Sequence, residues 1–190
     1  MPFRPKSSLP ISNHWFLASI LQALRFILDE IAAGRREPDF KLLAMMVDYV
    51  TRAPDKIHHL KEDDVLFPRL RQCSPEAVPL IDKLEEDHRV GYKKTVELLQ
   101  ALIHYQSVGA AAFDELFQVA QTYLDFNWRH LNEEEGVLLP LARRDLSAAD
   151  WAAIDAEFPK NFDPRAGAEG EFGELFSQIV NLTPAPYGLA

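Results

Sequence analysis

Apolar residues recur every three or four positions along four long stretches of this chain, with breakers falling between the stretches, and no alternating strand pattern of any length appears. That layout admits helices and little else. Ser12 is placed to cap a first helix running to about Ala33, with Leu17, Leu21, Leu24, Leu28 and Ile31 on one face and Gly34 ending it. A second pattern runs from about Asp39 to Arg71, where the missing N–H and the ring of Pro54 should kink it. Ser74-Pro75 reads as a cap and first-turn pair opening a third helix to about Ser107, and Gly109 separates this from a fourth, about Ala110 to Arg144. Ser147 with Asp150 resembles a capping box for a short fifth helix through Trp151 and Ile154. From Glu157 the tail mixes Pro and Gly with one amphipathic stretch, Phe172, Leu175, Phe176 and Ile179. The expected fold class is all-α. Residues 1–156 should form an up-down-up-down four-helix bundle with the short fifth helix, since the joining loops are short, and residues 157–190 a tail packing on it.

Composition narrows the partners. Twenty Lys and Arg stand against 29 Asp and Glu, and no basic run could neutralise a phosphate backbone, so nucleic acid is an unsuitable partner. The single cysteine, Cys73, leaves no internal disulfide, and Met1 to Pro10 lack the apolar stretch of a secretory signal. No segment reaches the roughly 18 consecutive apolar residues that span a bilayer, so a protein of the reducing cytoplasm, away from the membrane, is expected.

Four of the six histidines are arranged with order. With turns centred near residues 36, 74 and 109, His14 and His58 each lie 22 residues from the first, His58 and His88 lie 16 and 14 from the second, and His88 and His130 each lie 21 from the third. Antiparallel neighbours equally far from a shared turn sit at equal height, so these four should share one layer, with His104 about four turns away from it. Facing direction agrees. Val119, Tyr123, Phe126, His130, Glu134, Val137 and Leu141 form one stripe; His58, Glu62, Val65 and Arg69 form another; Leu84, His88, Gly91, Thr95, Leu98 and Leu102 share a third, in which Gly91 leaves space beside the imidazole. His59, roughly 100° round from His58, is the weaker ligand candidate.

The two stripes that carry a glutamate are also a repeat. His58 to Pro68 (HHLKEDDVLFP) echoes His130 to Pro140 (HLNEEEGVLLP), each reading His-x-x-x-Glu, an apolar run, then Pro. Each pair follows a lone histidine, at separations of 44 residues from His14 to His58 and 42 from His88 to His130. A buried ionised Glu without a cation is costly, by several kcal/mol, and this chain places two. Two Glu and four neutral His suit two bridged divalent or trivalent ions, whereas one structural zinc would leave two ligands unused. The mixed imidazole and carboxylate set favours iron, manganese or zinc over thiolate-loving metals, and two carboxylates able to bridge favour a di-iron pair.

At these residues the sequence resembles the hemerythrin-like, HHE cation-binding family, through the His58-His59-x-x-Glu62 segment and the run from Trp128-Arg129-His130 through Glu134, Val137 and Pro140, over roughly Ser12 to Trp151. The resemblance implies a four-helix bundle around a non-haem di-iron centre, with iron bound by His14, His58, Glu62, His88, His130 and Glu134. One departure stands out. Oxygen-carrying hemerythrins have five histidines, two of them as His-x-x-x-His on the third helix, while the position four after His88 is Tyr92. With four imidazoles the two irons would be more alike, each keeping an exchangeable position unless Tyr92, Glu135 or Asp63 fills one. Asp63 and Glu135 would need a distorted turn, being five residues after their histidines.

The functional reading is a non-haem di-iron protein that binds a small ligand, oxygen, nitric oxide or peroxide, with or without redox turnover; zinc or manganese could occupy the site in a recombinant preparation. The alternative is an oxygen or iron storage or sensing module without catalysis.

Overall fold

The computed structural model describes residues 11–53, 59, 62–157 and 171–190. Every regular element among them is helical. Helix α1 spans Ile11–Ala32 and α2 spans Phe40–Ala53; a π turn at Glu62–Leu66 runs into α3, Phe67–Cys73. Helix α4, Val78–Val108, follows a 3-10 turn at Pro75–Ala77, and another at Ala110–Ala112 leads into α5, Phe113–Glu133. A second π turn, Glu134–Leu138, joins α5 to α6, Leu139–Asp145; α7 is Ala148–Glu157 and α8 is Glu171–Leu182. No helix among the described residues is long and apolar enough to cross a membrane.

The punctuation explains most of the boundaries. Gly34 takes a positive φ of 65°, and the N–H groups of Gly34 and Arg35 return to the carbonyls of Ile31 and Glu30, closing α1 with paired C-terminal bonds. Asp39 caps α2 by accepting from the Leu42 N–H at 3.0 Å. Gly109, φ 80°, ends α4. Ser147 and Asp150 do form the expected box: the Asp150 carboxylate accepts from the Ser147 N–H at 2.9 Å, and Ser147 Oγ accepts from the Asp150 N–H at 3.2 Å. Two expected caps are corrected. Helix α1 is already under way at Ile11, before Ser12, and Ser74 opens its 3-10 turn through its carbonyl, which accepts from the Ala77 N–H, with no side-chain capping bond.

Helix α1 packs on α2 and α5, and α4 packs on the same two, so the four surround a common interior. Helix α8 lies on α2, burying Phe172, Phe176 and Ile179, with the Phe176 ring edge-on to Phe16 at 5.0 Å. Near the end of α2 the Tyr123 hydroxyl on α5 donates to the Val50 carbonyl at 2.8 Å; Pro54, four residues on in sequence, has no N–H to offer that carbonyl, and the kink expected at Pro54 lies outside the described residues.

The buried apolar residues divide into two clusters. The larger is built by α1, α2, α8, the second half of α4 (Leu98, Ala101, Leu102, Tyr105) and most of α5. The smaller joins α3, the start of α4 (Ile81, Leu84), α6 and α7. Between Leu84 and Leu98 on α4, and between Leu131 and Leu138 across the α5–α6 junction, the buried positions are held by Asp87, His88 and Glu134 instead. A polar layer thus separates two apolar ones.

Candidate metal centre

The two π turns, as described over Glu62–Leu66 and Glu134–Leu138, each contain a glutamate of the repeat. A π turn carries extra chain per turn, and its effect is a shift of phase. The expected stripes continue to Val65 and Arg69, and to Val137 and Leu141. In the fold Val137 is 48% exposed while Leu138, one residue later, is fully buried, and Leu66 and Leu70 are fully buried where Val65 and Arg69 are not. The same correction occurs in both halves and for the same reason.

The layer collects His14 from α1, Glu62 from the first π turn, His88 from α4, His130 from α5 and Glu134 from the second π turn, all buried. His58 lies outside the described residues. His14, Glu62 and Glu134 each bring one ligand atom within 4.8 Å of the others, and His59, His88 and His130 do the same. The two groups abut through Glu134. Its Oε2 lies 3.1 Å from His14 Nε2, and its Oε1 lies 3.0 Å from His130 Nε2 and 3.9 Å from His88 Nε2. Glu62 Oε2 faces His88 Nε2 at 3.7 Å.

His59 was the weaker candidate by helical angle, yet the fold places it in the layer, stacked on His88 at 4.0 Å between centroids and edge-on to His130 at 5.8 Å. The adjacent histidines in the motif, together with the absent fifth imidazole at Tyr92, were the signal for it. Tyr92 itself is 64% exposed. Gly91, three residues after His88, is the position that faces Phe126 and the histidine layer, so Tyr92 turns outward and is neither ligand nor donor to the layer. His104 stands apart, on the surface with Glu115 at 2.7 Å.

His14, His88 and His130 each have a carboxylate at their back. Glu135 Oε1 lies 3.1 Å from His14 Nδ1, and Asp63 Oδ1 lies 2.8 Å from His88 Nδ1. Asp87 faces His130 Nδ1 at 3.6 Å, too long for a hydrogen bond, and is itself gripped through both oxygens by Arg129 at 3.0 Å. Burial opposes the charge on Asp87, but His130 and Arg129 outweigh it and hold the carboxyl well below its usual range. Burial likewise opposes protonation of His14, and bonding to Glu134 and Glu135 overrides it, raising this imidazole to about 10. His88, through Asp63 and Glu134, also rises to about 10, and His130, through Asp87 and Glu134, to about 9.

These are the marks of a site built for positive charge. The Nε2 atoms of His88 and His130 are buried and without a hydrogen-bond partner among the described residues, although both point towards carboxylate oxygens. A cation between the rings and the glutamates satisfies all of them at once. A donor set of imidazole nitrogen and carboxylate oxygen fits iron, manganese or zinc.

Against the histidine layer, Val50, Thr51, Gly91, Thr95, Tyr123 and Phe126 line a partly open cavity of about 20 Å³, room for one water-sized molecule. A Cβ placed on Gly91 would stand 3.7 Å from the Phe126 ring, so a methyl group fits there and a larger side chain would take the space.

No curated protein and no solved structure matches this chain. Residues 12–142 match the hemerythrin HHE cation binding domain, a span that includes every residue of the buried layer. The chain therefore belongs to the hemerythrin HHE cation-binding family.

Proposed function

We propose that this protein holds two bridged iron ions on an up-down-up-down four-helix bundle and binds a small ligand beside them: oxygen, nitric oxide or peroxide. The observation that supports this reading best is Glu134, whose two oxygens serve different histidines, His14 on one side and His130 on the other. A carboxylate with one oxygen beside each of two histidines is suited to bridging two ions. The assigned ligands are His14, His58, Glu62, His88, His130 and Glu134, with His59 added as the neighbour of His88 and His130.

Bound there, an iron pair supplies reversible electron transfer and exchangeable coordination positions to a small ligand. The chain supplies the rest. Leu66 and Phe67 below the layer and Tyr49 and Val50 above it exclude bulk water, and Glu135, Asp63 and Asp87 hold the imidazoles from behind. The cavity beside Gly91 has room for a molecule about the size of water, which supports a small diatomic or peroxidic ligand. Cys73 is a free, exposed thiol, in keeping with a reducing cytoplasm.

Metal analysis with an absorption spectrum of protein purified in air tests the reading. Close to two irons per chain is expected. A stoichiometry near one, or zinc retained after expression in abundant iron, overturns it.

A further inference from the structure

The repeat extends one residue past each glutamate, to Asp63 in the first half and Glu135 in the second. Neither side chain stays with its own half. Asp63, beside Glu62, meets Nδ1 of His88, the lone histidine of the second half, at 2.8 Å. Glu135, beside Glu134, meets Nδ1 of His14, the lone histidine of the first half, at 3.1 Å. The exchange is reciprocal, and the π turns produce it. On a plain α-helix neighbouring side chains diverge by about 100°. The wider turn keeps both acids of each pair near the layer, so that the His14 ring is held at its two nitrogens by consecutive residues, Glu134 at Nε2 and Glu135 at Nδ1.

An ionised carboxylate only accepts hydrogen bonds, so each Nδ1 must be the N–H, and the ring is fixed with Nε2 directed at the glutamates. We infer that Asp63 and Glu135 are positioning residues for the metal centre, each orienting the lone histidine of the other half so that its Nε2 is the ligand atom. The site is then complete only when the two halves of the chain are docked. Asp63 and Glu135 are partly exposed while the groups they serve are buried, so each can be replaced without opening a cavity in either apolar cluster. This assignment rests on the two-ion reading of the centre.

The test uses the full-length, metal-free protein and Co²⁺ alone, with chelator competition followed by the visible absorption of bound Co²⁺. His14→Ala and His88→Ala provide reference spectra for the two ions. Wild-type protein should bind two Co²⁺ per chain. Asp63→Leu should weaken the ion whose spectrum His88→Ala removes, and Glu135→Leu the ion whose spectrum His14→Ala removes, each by about 10–100-fold. Asp63→Asn and Glu135→Gln keep an acceptor for Nδ1–H and should recover most of the affinity. Leu variants that bind both ions as wild type does overturn the inference, as do amide variants as weak as the Leu variants, since that outcome makes the acids direct ligands.

A second measurement stands even if the Leu variants fail to fold. Nitrogen NMR of the histidine rings in Zn²⁺-loaded wild-type protein should show His14 and His88 protonated at Nδ1 and metal-bound at Nε2; the opposite tautomer overturns the assignment. Wild-type protein that binds only one Co²⁺ defeats the two-ion reading instead, and the ring tautomers still decide the role of the two acids.

Discussion

Loading the site with metal should expel protons, and the number follows from the histidines. In the metal-free fold His14 and His88 are raised to about 10 and His130 to about 9, so at pH 7.5 all three rings are almost fully protonated. The protons occupy the Nε2 positions that face Glu134 and Glu62. A cation bound at Nε2 must displace them, so filling both positions should release about three protons per chain from these rings. Each proton adds one to the slope of log K against pH, about 1.4 kcal/mol per pH unit. Combined affinity should therefore climb by about three decades per pH unit near neutrality and flatten above pH 10. Calorimetric titration of Zn²⁺ into metal-free protein, in two buffers of different ionisation enthalpy, gives the count directly. Release of fewer than one proton per chain would show that the carboxylates do not hold protons on these rings, and the electrostatic account of the layer would be wrong.

The same rings set the pH dependence of the metal-free fold. A histidine raised above its unfolded value near 6.5 contributes stability in full below pH 6.5 and loses it as pH rises through the folded value, so melts in chelator should fall in temperature between pH 7 and pH 10, while metal-loaded protein holds steady. Glu134→Ala should strip most of the metal, whereas His104→Ala and Tyr92→His should leave metal content and absorption spectrum unchanged, because both of those side chains lie on the surface; elemental analysis of the three variants decides it. Tyr123→Phe leaves the buried carbonyl of Val50 without its donor and should cost about 1–3 kcal/mol, read as a fall in Tm of about 2–4 °C per kcal/mol.

Much of this was legible in the sequence because heights in a bundle are counted from turns. The breakers at Gly34 and Gly109 are where helices end, with positive φ at both. Distances from these turns were enough to bring His14, His88 and His130 into one buried layer with Glu62 and Glu134. Angle was harder to read than height. Extrapolating at 3.6 residues per turn puts Val65 and Val137 inside and treats His59 as turned away, yet Leu66 and Leu138 are the buried pair and His59 stands against His88. Both misreadings lie beside a π turn, and composition gives no sign of one: Glu62-Asp63-Asp64 and Glu134-Glu135-Gly136 look like ordinary solvated helix.

Read from the fold outward, the π turns explain why those acidic runs are there. A continuous α-helix through His130 would aim Glu134 at the layer and carry Glu135 away, leaving His14 with a ligand partner and nothing behind it. Widening the turn is unfavourable locally, since i→i+5 bonding is the least common helical pattern, and such turns persist mostly where a functional geometry needs them. Here the return is a second acid at the layer for each glutamate, and it comes twice, at Glu62–Leu66 and Glu134–Leu138. Local helix preference is overridden at the two points where the candidate ligands and the acids behind them converge, and the apolar register on the far side is reset by one residue to keep Leu66 and Leu138 in the core.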